Sequence, residues 1–238
     1  MYYDTATYTP LWVAYPMKEA YDKPDNTYKA SWSQNPDIND NDEVSVWNGS
    51  YGVTYAQKGY DDTSYNRGHM IPDASRDGYS SEMIEQAYYA TNSVPQIQDG
   101  FNGGIWSTIE GAVRGEINES RYELYVVTGA VFRTAGGSES ITYINPACDS
   151  SKNSIPVPNY FYKVVLKAQV DGSGTVTSAS TIGFWIEHKR YSGVSATNFN
   201  KSVDEIEQLT GFDFFANLPD SVESSAEGNS NWGTFKNF

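Results

Sequence analysis

Runs of apolar residues along the chain follow two periods, and each period predicts one kind of element. Short runs dominated by β-branched and aromatic residues indicate strands, which are predicted at residues 44–47, 52–57, 88–91, 123–127, 160–168 and 181–186. Apolar residues at steps of three and four indicate helices, which are predicted at residues 80–86, 101–116 and 202–210. Since strands and helices do not alternate regularly, we expect an α+β fold with a central, largely antiparallel β-sheet flanked by helices.

The second and third predicted helices carry further signals. In the second, Trp106 and Ile109 lie three residues apart and are expected to pack against the sheet. At the start of the third, Ser202 is followed three residues later by Glu205, which is the pattern of a capping box. Gly211 then stands where helices commonly end in a left-handed residue.

Length and composition narrow the class of protein. The chain has 238 residues, of which 39% are hydrophobic and 19% charged, so we expect one domain over residues 1–238. The polar segment 219–238 is expected to be loosely held, although its aromatic residues Trp232, Phe235 and Phe238 could dock on the protein. Cys148 is the single cysteine, which excludes an intramolecular disulfide and a metal site made of cysteines. No apolar run is long enough to cross a bilayer and the start lacks a signal-peptide pattern, so we expect a soluble chain from which any leader is absent.

The net charge limits the partners. The chain has 16 Lys and Arg against 30 Asp and Glu, a net charge of -14. A protein that binds nucleic acid over a broad basic surface is therefore not expected.

The densest acidic run, residues 37–43, has oxygen-bearing side chains at alternate positions, as in the first half of a calcium loop. The match then ends, because Asp42 stands where such a loop needs glycine and Asn48 where it needs glutamate. A solvated turn is the favoured interpretation, and calcium binding stays an open alternative.

Two histidines limit where imidazole chemistry can occur. His188 ends an apolar run among charged residues, which favours a surface or strand-end position. His69 lies in the segment Tyr-Asn-Arg-Gly-His-Met-Ile-Pro at residues 65–72. There Gly68 frees the backbone beside the imidazole and Arg67 stands two residues before it.

Two clusters downstream make the pattern specific: Asn92 and Pro95-Gln96, and then Asn102, Trp106 and Glu110 at four-residue steps. Together with the histidine segment, the chain resembles the DNA/RNA non-specific endonucleases, the family of the Serratia nuclease and endonuclease G, over about residues 10–218. The family motifs are Asp-Arg-Gly-His, Asn-x-x-Pro-Gln and Asn-x-x-x-Trp-x-x-x-Glu. The aspartate of the first motif is Asn66 here. Asparagine can still bond to the backbone, so we expect activity to survive.

The resemblance implies a ββα-metal nuclease fold and a metal-dependent hydrolase that cleaves phosphodiester bonds in DNA, RNA or both, leaving 5′-phosphate ends. It implies that Asn102 binds Mg²⁺ directly, with Mn²⁺ as a possible substitute, and that Glu110 supports the ion through water. On one continuous helix, Asn102, Glu110 and Arg114 would be spaced by eight and four residues and would share a sector of about 120°.

The remaining implied roles follow the chemistry of phosphoryl transfer. A neutral His69 would act as general base. Arg67 and Arg114 would bind phosphates, and Asn92 would position the histidine loop or the substrate. Because the average surface repels nucleic acid, we expect a local basic cleft and strong inhibition by salt. Candidates for the cleft are Arg67, Arg76, Arg114, Arg121, Lys189 and Arg190.

Several alternatives stay open. Singly, Asn102 could be a helix cap, Glu110 an exposed helix residue and Arg114 its ion-pair partner four residues on. The whole chain could be a catalytically impaired nuclease-fold binding module at a cell surface, or an aromatic-rich protein that binds polysaccharide. The sequence does not decide between single- and double-stranded nucleic acid as substrate, or between a monomer and a homodimer. We expect a secreted, periplasmic or cell-surface location, because a free nuclease endangers the cell that makes it.

Overall fold

The computed structural model describes residues 1–22, 27–52, 54–55 and 63–238. Its strands are β1 (Tyr2–Asp4), β2 (Thr9–Met17), β3 (Thr54–Tyr55), β4 (Thr63–His69), β5 (Ser93–Ile97), β6 (Glu123–Val131), β7 (Thr142–Ile144), β8 (Ile155–Val157), β9 (Tyr160–Val170), β10 (Val176–Glu187) and β11 (Asn200–Lys201). Its α-helices are α1 (Ser81–Ala87), α2 (Ser107–Arg114), α3 (Val203–Thr210), α4 (Asp220–Ala226) and α5 (Trp232–Lys236). No helix in these residues has the length and apolar character needed to cross a membrane.

Six strands form the main sheet, in the order β1-β2-β6-β9-β10-β11, with every neighbouring pair antiparallel. The strands predicted at 123–127, 160–168 and 181–186 are confirmed, and each extends further as β6, β9 or β10. The α+β class is therefore confirmed. Val164 and Val165 point to opposite faces of β9 and both are fully buried, so the sheet is covered on both faces.

A smaller sheet, in the order β3-β4-β5, carries the histidine segment. The strand predicted at 88–91 is wrong. Tyr88 caps α1, Tyr89 makes an isolated bridge to Ser33, and a 3-10 turn follows at Ala90–Asn92. The strand begins at Ser93 as β5. Pro95 lies within β5, and it fits because β5 is an edge of this sheet and its missing N–H breaks no ladder.

Of the two remaining strand predictions, one is wrong and one is confirmed in its described part. The strand predicted at 44–47 is wrong, since Val46–Asn48 forms a 3-10 turn. Of the segment 52–57, the described part contains β3, and residues 53, 56 and 57 lie outside the described residues.

The acidic run 37–43 contains the 3-10 turn Asp40–Asp42, but its last residue, Glu43, is fully buried and accepts from the Asn35 N–H at 3.2 Å. A fully solvated turn is therefore wrong at that end.

The helix predicted at 101–116 is interrupted. Residues Gln98–Trp106 form a wide helical segment of π type, and α2 begins only after it. Gly104 breaks the path with φ -131° and ψ -110°, a conformation that glycine adopts at little cost. Asn102 therefore does not share one helical sector with Glu110 and Arg114, and the prediction of a continuous helix is wrong.

The C-terminal third begins as predicted and then differs. Ser202 and Glu205 form the capping box of α3, and Gly211 ends the helix with φ 76°. The segment 219–238, expected to be loosely held, instead forms α4 and α5. Phe235 of α5 is fully buried and stacks on Trp232 at 5.4 Å, so apolar burial holds this segment on the protein.

Candidate active site

His69 ends β4, where it pairs with Ser93 of β5. Gly68 before it must be glycine, because a Cβ there would lie 2.2 Å from the Gln96 side chain. The imidazole lies between two aromatic rings: its centroid is 4.5 Å from that of Trp32 and 4.8 Å from that of Tyr88, whose plane is at 80° to it. Close packing of two strands and two rings thus fixes the imidazole.

The surroundings of His69 keep it neutral. Burial and the charge of Arg67 lower its pKa to about 4, although the charge of Asp73 acts in the opposite direction. Its Nε2 is buried and has no hydrogen-bond partner among the described residues. A neutral imidazole with an unused ring nitrogen can accept a proton or a hydrogen bond from a substrate or water.

Arg67 lies two residues before His69 on the same strand, so the two side chains are on one face of β4. Its Nη1 donates to the Val46 carbonyl at 3.1 Å, and its guanidinium carbon lies 5.6 Å from the centroid of Trp32. Its Nε is buried without a hydrogen-bond partner in the described part of the chain. The guanidinium is therefore held by one bond and one ring, and retains donors for an anion.

Asn92 is buried and bonds to the backbone on both sides. Its Nδ2 donates to the carbonyls of Ile71 at 3.0 Å and Ala87 at 2.7 Å, while its Oδ1 accepts from the Ile71 N–H at 2.9 Å. Its own carbonyl accepts from the Met70 N–H at 3.0 Å. These bonds brace the two residues that follow His69.

Asn102 lies in the wide helical segment and is linked to β4 through Gln98. Gln98 Oε1 accepts from Asn102 Nδ2 at 3.1 Å and from Asn66 Nδ2 at 2.8 Å. Because the amide nitrogen of Asn102 faces Gln98, its oxygen is the atom available to a cation. Asn66 makes this link possible, since the aspartate of the family motif has no N–H to donate.

Glu110 of α2 lies against a buried cation. Its nearest carboxylate oxygen is 3.8 Å from Lys163 Nζ on β9, and Arg114 of the same helix also stabilises its charge. Burial raises the pKa of Glu110 and lowers that of Lys163, and their mutual attraction opposes both shifts. Glu110 Oε1 is buried and without a hydrogen-bond partner in the described residues, so Glu110 is not the exposed helix residue of the alternative interpretation.

The site residues come together through shared neighbours. Trp106 Nε1 donates to the carbonyl of His69 at 3.4 Å, and the Trp106 ring lies 4.1 Å from Lys163 Nζ. The charge of Asp73 raises the pKa of both His69 and Glu110. The irregular segment before α2, the start of α2 and the end of β4 therefore meet at one place.

A separate groove of about 700 Å³ beside Trp12, Tyr125 and Phe214 contains none of the candidate residues.

Five residues of this region were not found from the sequence: Trp32, Asp73, Tyr88, Gln98 and Lys163. Trp32 and Lys163 are distant from the motifs along the chain, so no local pattern brings them to His69. The sequence pattern predicts a strand at Tyr88 and so hides its place beside His69. Gln98 had a possible signal, since it stands four residues before Asn102, but the predicted helix began only after it.

Three of the proposed cleft residues have other partners. Arg76 is buried, donates to the Pro16 carbonyl at 3.0 Å and lies 4.9 Å from the centroid of Tyr15. Arg121 donates to the C-terminal Phe238, and Lys189 is paired with Glu187. The prediction that all six residues form one basic cleft is therefore wrong.

His188 follows β10 and is buried, so a strand end is confirmed and a surface position is wrong. Its Nε2 accepts from the Ile97 N–H at 2.8 Å, which places the proton on Nδ1, and Nδ1 donates to the Pro158 carbonyl at 2.9 Å. Both ring nitrogens are thus used inside the fold.

Comparison with known proteins agrees with this architecture. Residues 1–221 match the family described as DNA/RNA non-specific endonuclease. A nuclease of Syncephalastrum racemosum is 30% identical over 68% of this chain, and the match covers 50% of that protein. A nuclease of Nostoc is 26% identical over 94% of this chain and 73% of that protein. The crystal structure of an EndoG/EndoGI complex has a chain with a TM-score of 0.68 and 21% identity, covering 92% of this chain and 84% of the other, which supports the fold. This chain spans about half the length of the Syncephalastrum nuclease.

Proposed function

Since the chain belongs to the DNA/RNA non-specific endonuclease family, we propose that it is a metal-dependent nuclease that hydrolyses phosphodiester bonds in DNA, RNA or both, with its chemistry at His69. The observation that carries the proposal is the state of that residue: a half-buried imidazole at a strand end, neutral near pH 7, with an unused Nε2. Burial of such a nitrogen without a partner is costly unless a substrate or water uses it.

His69 acts as general base in this proposal. A neutral imidazole takes a proton from the attacking water and so raises the nucleophilicity of that water at the phosphorus. A pKa of about 4 makes a weak base in the isolated protein. Substrate phosphates would bring negative charge close to the ring and raise that pKa toward the working pH.

The donor set fits a hard divalent cation, Mg²⁺ or in its place Mn²⁺. Asn102 would bind it directly through the amide oxygen that Gln98 leaves available. Glu110, whose buried Oε1 has no hydrogen-bond partner among the described residues, would support it through water. When bound, such a cation stabilises the negative charge that develops on the phosphate oxygens. Gln98 is a positioning residue for Asn102.

Three more residues complete the site. Arg67 and Arg114 would bind phosphate oxygens of the scissile or neighbouring nucleotides. Asn92 would keep the histidine segment in place, because its side chain is fully engaged with Ile71 and Ala87. We propose 5′-phosphate ends for the products, by analogy with the family.

The charge distribution favours a narrow footprint. With a net charge of -14 and Arg76 and Arg121 engaged elsewhere, few cations remain to bind phosphates. We therefore propose modest substrate affinity and steep inhibition by salt. We also propose that the protein acts outside the cytoplasm, which cell fractionation tests directly.

The proposal is tested by digestion of plasmid DNA and total RNA at low salt, with Mg²⁺ or with EDTA. Wild type should cut at least one substrate with Mg²⁺ and neither with EDTA. Asn102→Ala should lower the rate by about 100-fold or more, while Asn153→Ala, an exposed asparagine elsewhere, should leave it unchanged. Cleavage that persists in EDTA would refute metal dependence. Folded wild type that binds nucleic acid without cutting it would favour the impaired binding module.

A further inference from the structure

A second group of acidic side chains lies on elements that carry none of the candidate nuclease residues. Asp204 and Glu207 are three residues apart on α3, and Glu227 directly follows α4. One carboxylate oxygen of each residue lies within 4.8 Å of the others. Among the described residues, these side chains form a group of three Asp or Glu residues close enough to hold one metal ion.

Glu227 gives an independent reason to look for a ligand here. Its residue surface is 6% exposed, and its Oε1 is buried with no hydrogen-bond partner among the described residues. The backbone fixes its position, because the Glu227 carbonyl accepts from the Val203 N–H at 3.0 Å and its N–H donates to the Glu223 carbonyl at 3.1 Å. A buried carboxylate oxygen without a hydrogen-bond partner is costly, and one carboxylate oxygen of Glu227 lies within 4.8 Å of those of Asp204 and Glu207.

The charge of the cluster has no counterpart nearby. Glu223 and Asp213 add further negative charge at this place. No Lys or Arg in the described ranges forms an ion pair with Asp204, Glu207 or Glu227. The place is therefore strongly negative, as cation sites are.

We propose that Asp204, Glu207 and Glu227 form a binding site for Ca²⁺ that is separate from the nuclease site. Ca²⁺ binds carboxylate oxygens at about 2.3 to 2.6 Å in flexible geometry, so two of its ligands lie no more than about 5 Å apart. The cluster meets that limit. Mg²⁺ fits less well, because it demands near-ideal octahedral geometry and usually takes only one or two carboxylates.

The ion has a structural role. It joins α3 to the turn after α4, and that turn is already tied to the main sheet, where Thr181 Oγ1 donates to the Ala226 carbonyl at 2.8 Å. Binding would relieve repulsion among the carboxylates and hold the C-terminal helices, including the buried Phe235, on the sheet.

Thermal unfolding of EDTA-treated protein during titration with Ca²⁺ tests the site. The Tm of wild type should rise by about 5 to 10 °C once free Ca²⁺ is about 100-fold above Kd. Glu227→Gln should remove the rise, because it takes away a carboxylate ligand while keeping the shape of the side chain. Asp204→Asn, at an exposed position, should weaken the rise.

Two controls separate this site from other effects. Asn102→Ala, which alters the nuclease site, and Glu85→Gln, which removes an exposed charge on α1, should both keep the full Ca²⁺ response. Terbium luminescence should report one ion fewer in Glu227→Gln than in wild type. A wild-type Tm unaffected by millimolar Ca²⁺ would overturn the proposal. An equal rise in Glu227→Gln, or its loss in Asn102→Ala, would also overturn it.

Discussion

The two histidines of this protein share one property and differ in another. Burial lowers the pKa of both to about 4, so both are neutral near pH 7. His188 uses both ring nitrogens in hydrogen bonds with the backbone, whereas His69 Nε2 is buried without a partner in the described residues. A lowered pKa alone therefore does not mark a functional histidine. The unused hydrogen-bonding capacity of His69 distinguishes it.

The surroundings strengthen this contrast. His188 is packed among Phe101, Phe161 and Tyr65, with ring centroids 4.7, 5.0 and 6.0 Å away. His69 also lies between two rings, those of Trp32 and Tyr88, but its neighbours include the charged groups Arg67 and Asp73. The contacts of His188 link the main sheet to the small sheet. The charges beside His69 allow its pKa to change when a charged substrate binds.

Replacing His188 should affect stability most. His188→Ala leaves the Ile97 N–H and the Pro158 carbonyl without partners and opens a cavity, so the free energy of unfolding should fall by about 3 to 5 kcal/mol. Urea unfolding measures this loss. His69→Ala is the matched variant and should lose less than half as much, since it breaks no hydrogen bond of the imidazole. Equal losses would contradict the structural assignment of His188.

The same pair predicts a pH dependence. The pKa of His188 is about 4 in the folded protein against an ordinary value of 6.5, so its contribution to stability is complete above pH 6.5 and is lost as the pH falls toward 4. The stability gap between wild type and His188→Ala should therefore narrow by about 2 kcal/mol from pH 8 to pH 5. A gap that stays constant, or widens in acid, would show that the folded histidine is protonated.

A smaller effect is expected at Gln98. Gln98→Ala removes the acceptor that orients the Asn102 amide, so the rate at limiting Mg²⁺ should fall by about 3- to 10-fold and the Mg²⁺ requirement should rise. Saturating Mg²⁺ should restore most of the rate. Gln208→Ala, an exposed glutamine of α3, is the control and should change neither value. An unchanged Mg²⁺ dependence in Gln98→Ala would remove Gln98 from its positioning role.

The sequence predicted the parts of the fold that local patterns determine. The apolar runs of β6, β9 and β10 and the capping signals of α3 were placed correctly, because burial and capping act within a few residues. The strand β5 was missed because Pro95 weakens the strand pattern, and the break at Gly103-Gly104 was missed because the apolar period continues across it. The packing of the C-terminal helices through Phe235 depends on distant contacts that no local pattern contains.

For the candidate site, the motifs identified His69, Asn102 and Glu110, and family resemblance supplied their roles. The structure shows contacts that the spacing of motifs along the sequence does not predict. These are the rings of Trp32 and Tyr88 around the imidazole, and the Lys163 ammonium beside Glu110. These contacts join segments far apart in sequence, so they follow only from the tertiary fold. His188 was misplaced at the surface for the same reason, since its partners come from β5 and from the loop before β9.

The central claim is that the histidine with an unused nitrogen performs the chemistry, and the cleavage rate of His69→Ala tests it most directly. Measured against His188→Ala at a temperature where both variants are folded, the rate of His69→Ala should be about 100- to 10,000-fold below wild type. His188→Ala should stay within a few-fold of wild type. If folded His69→Ala cleaves nucleic acid at a rate close to wild type, the assignment of His69 as general base is wrong.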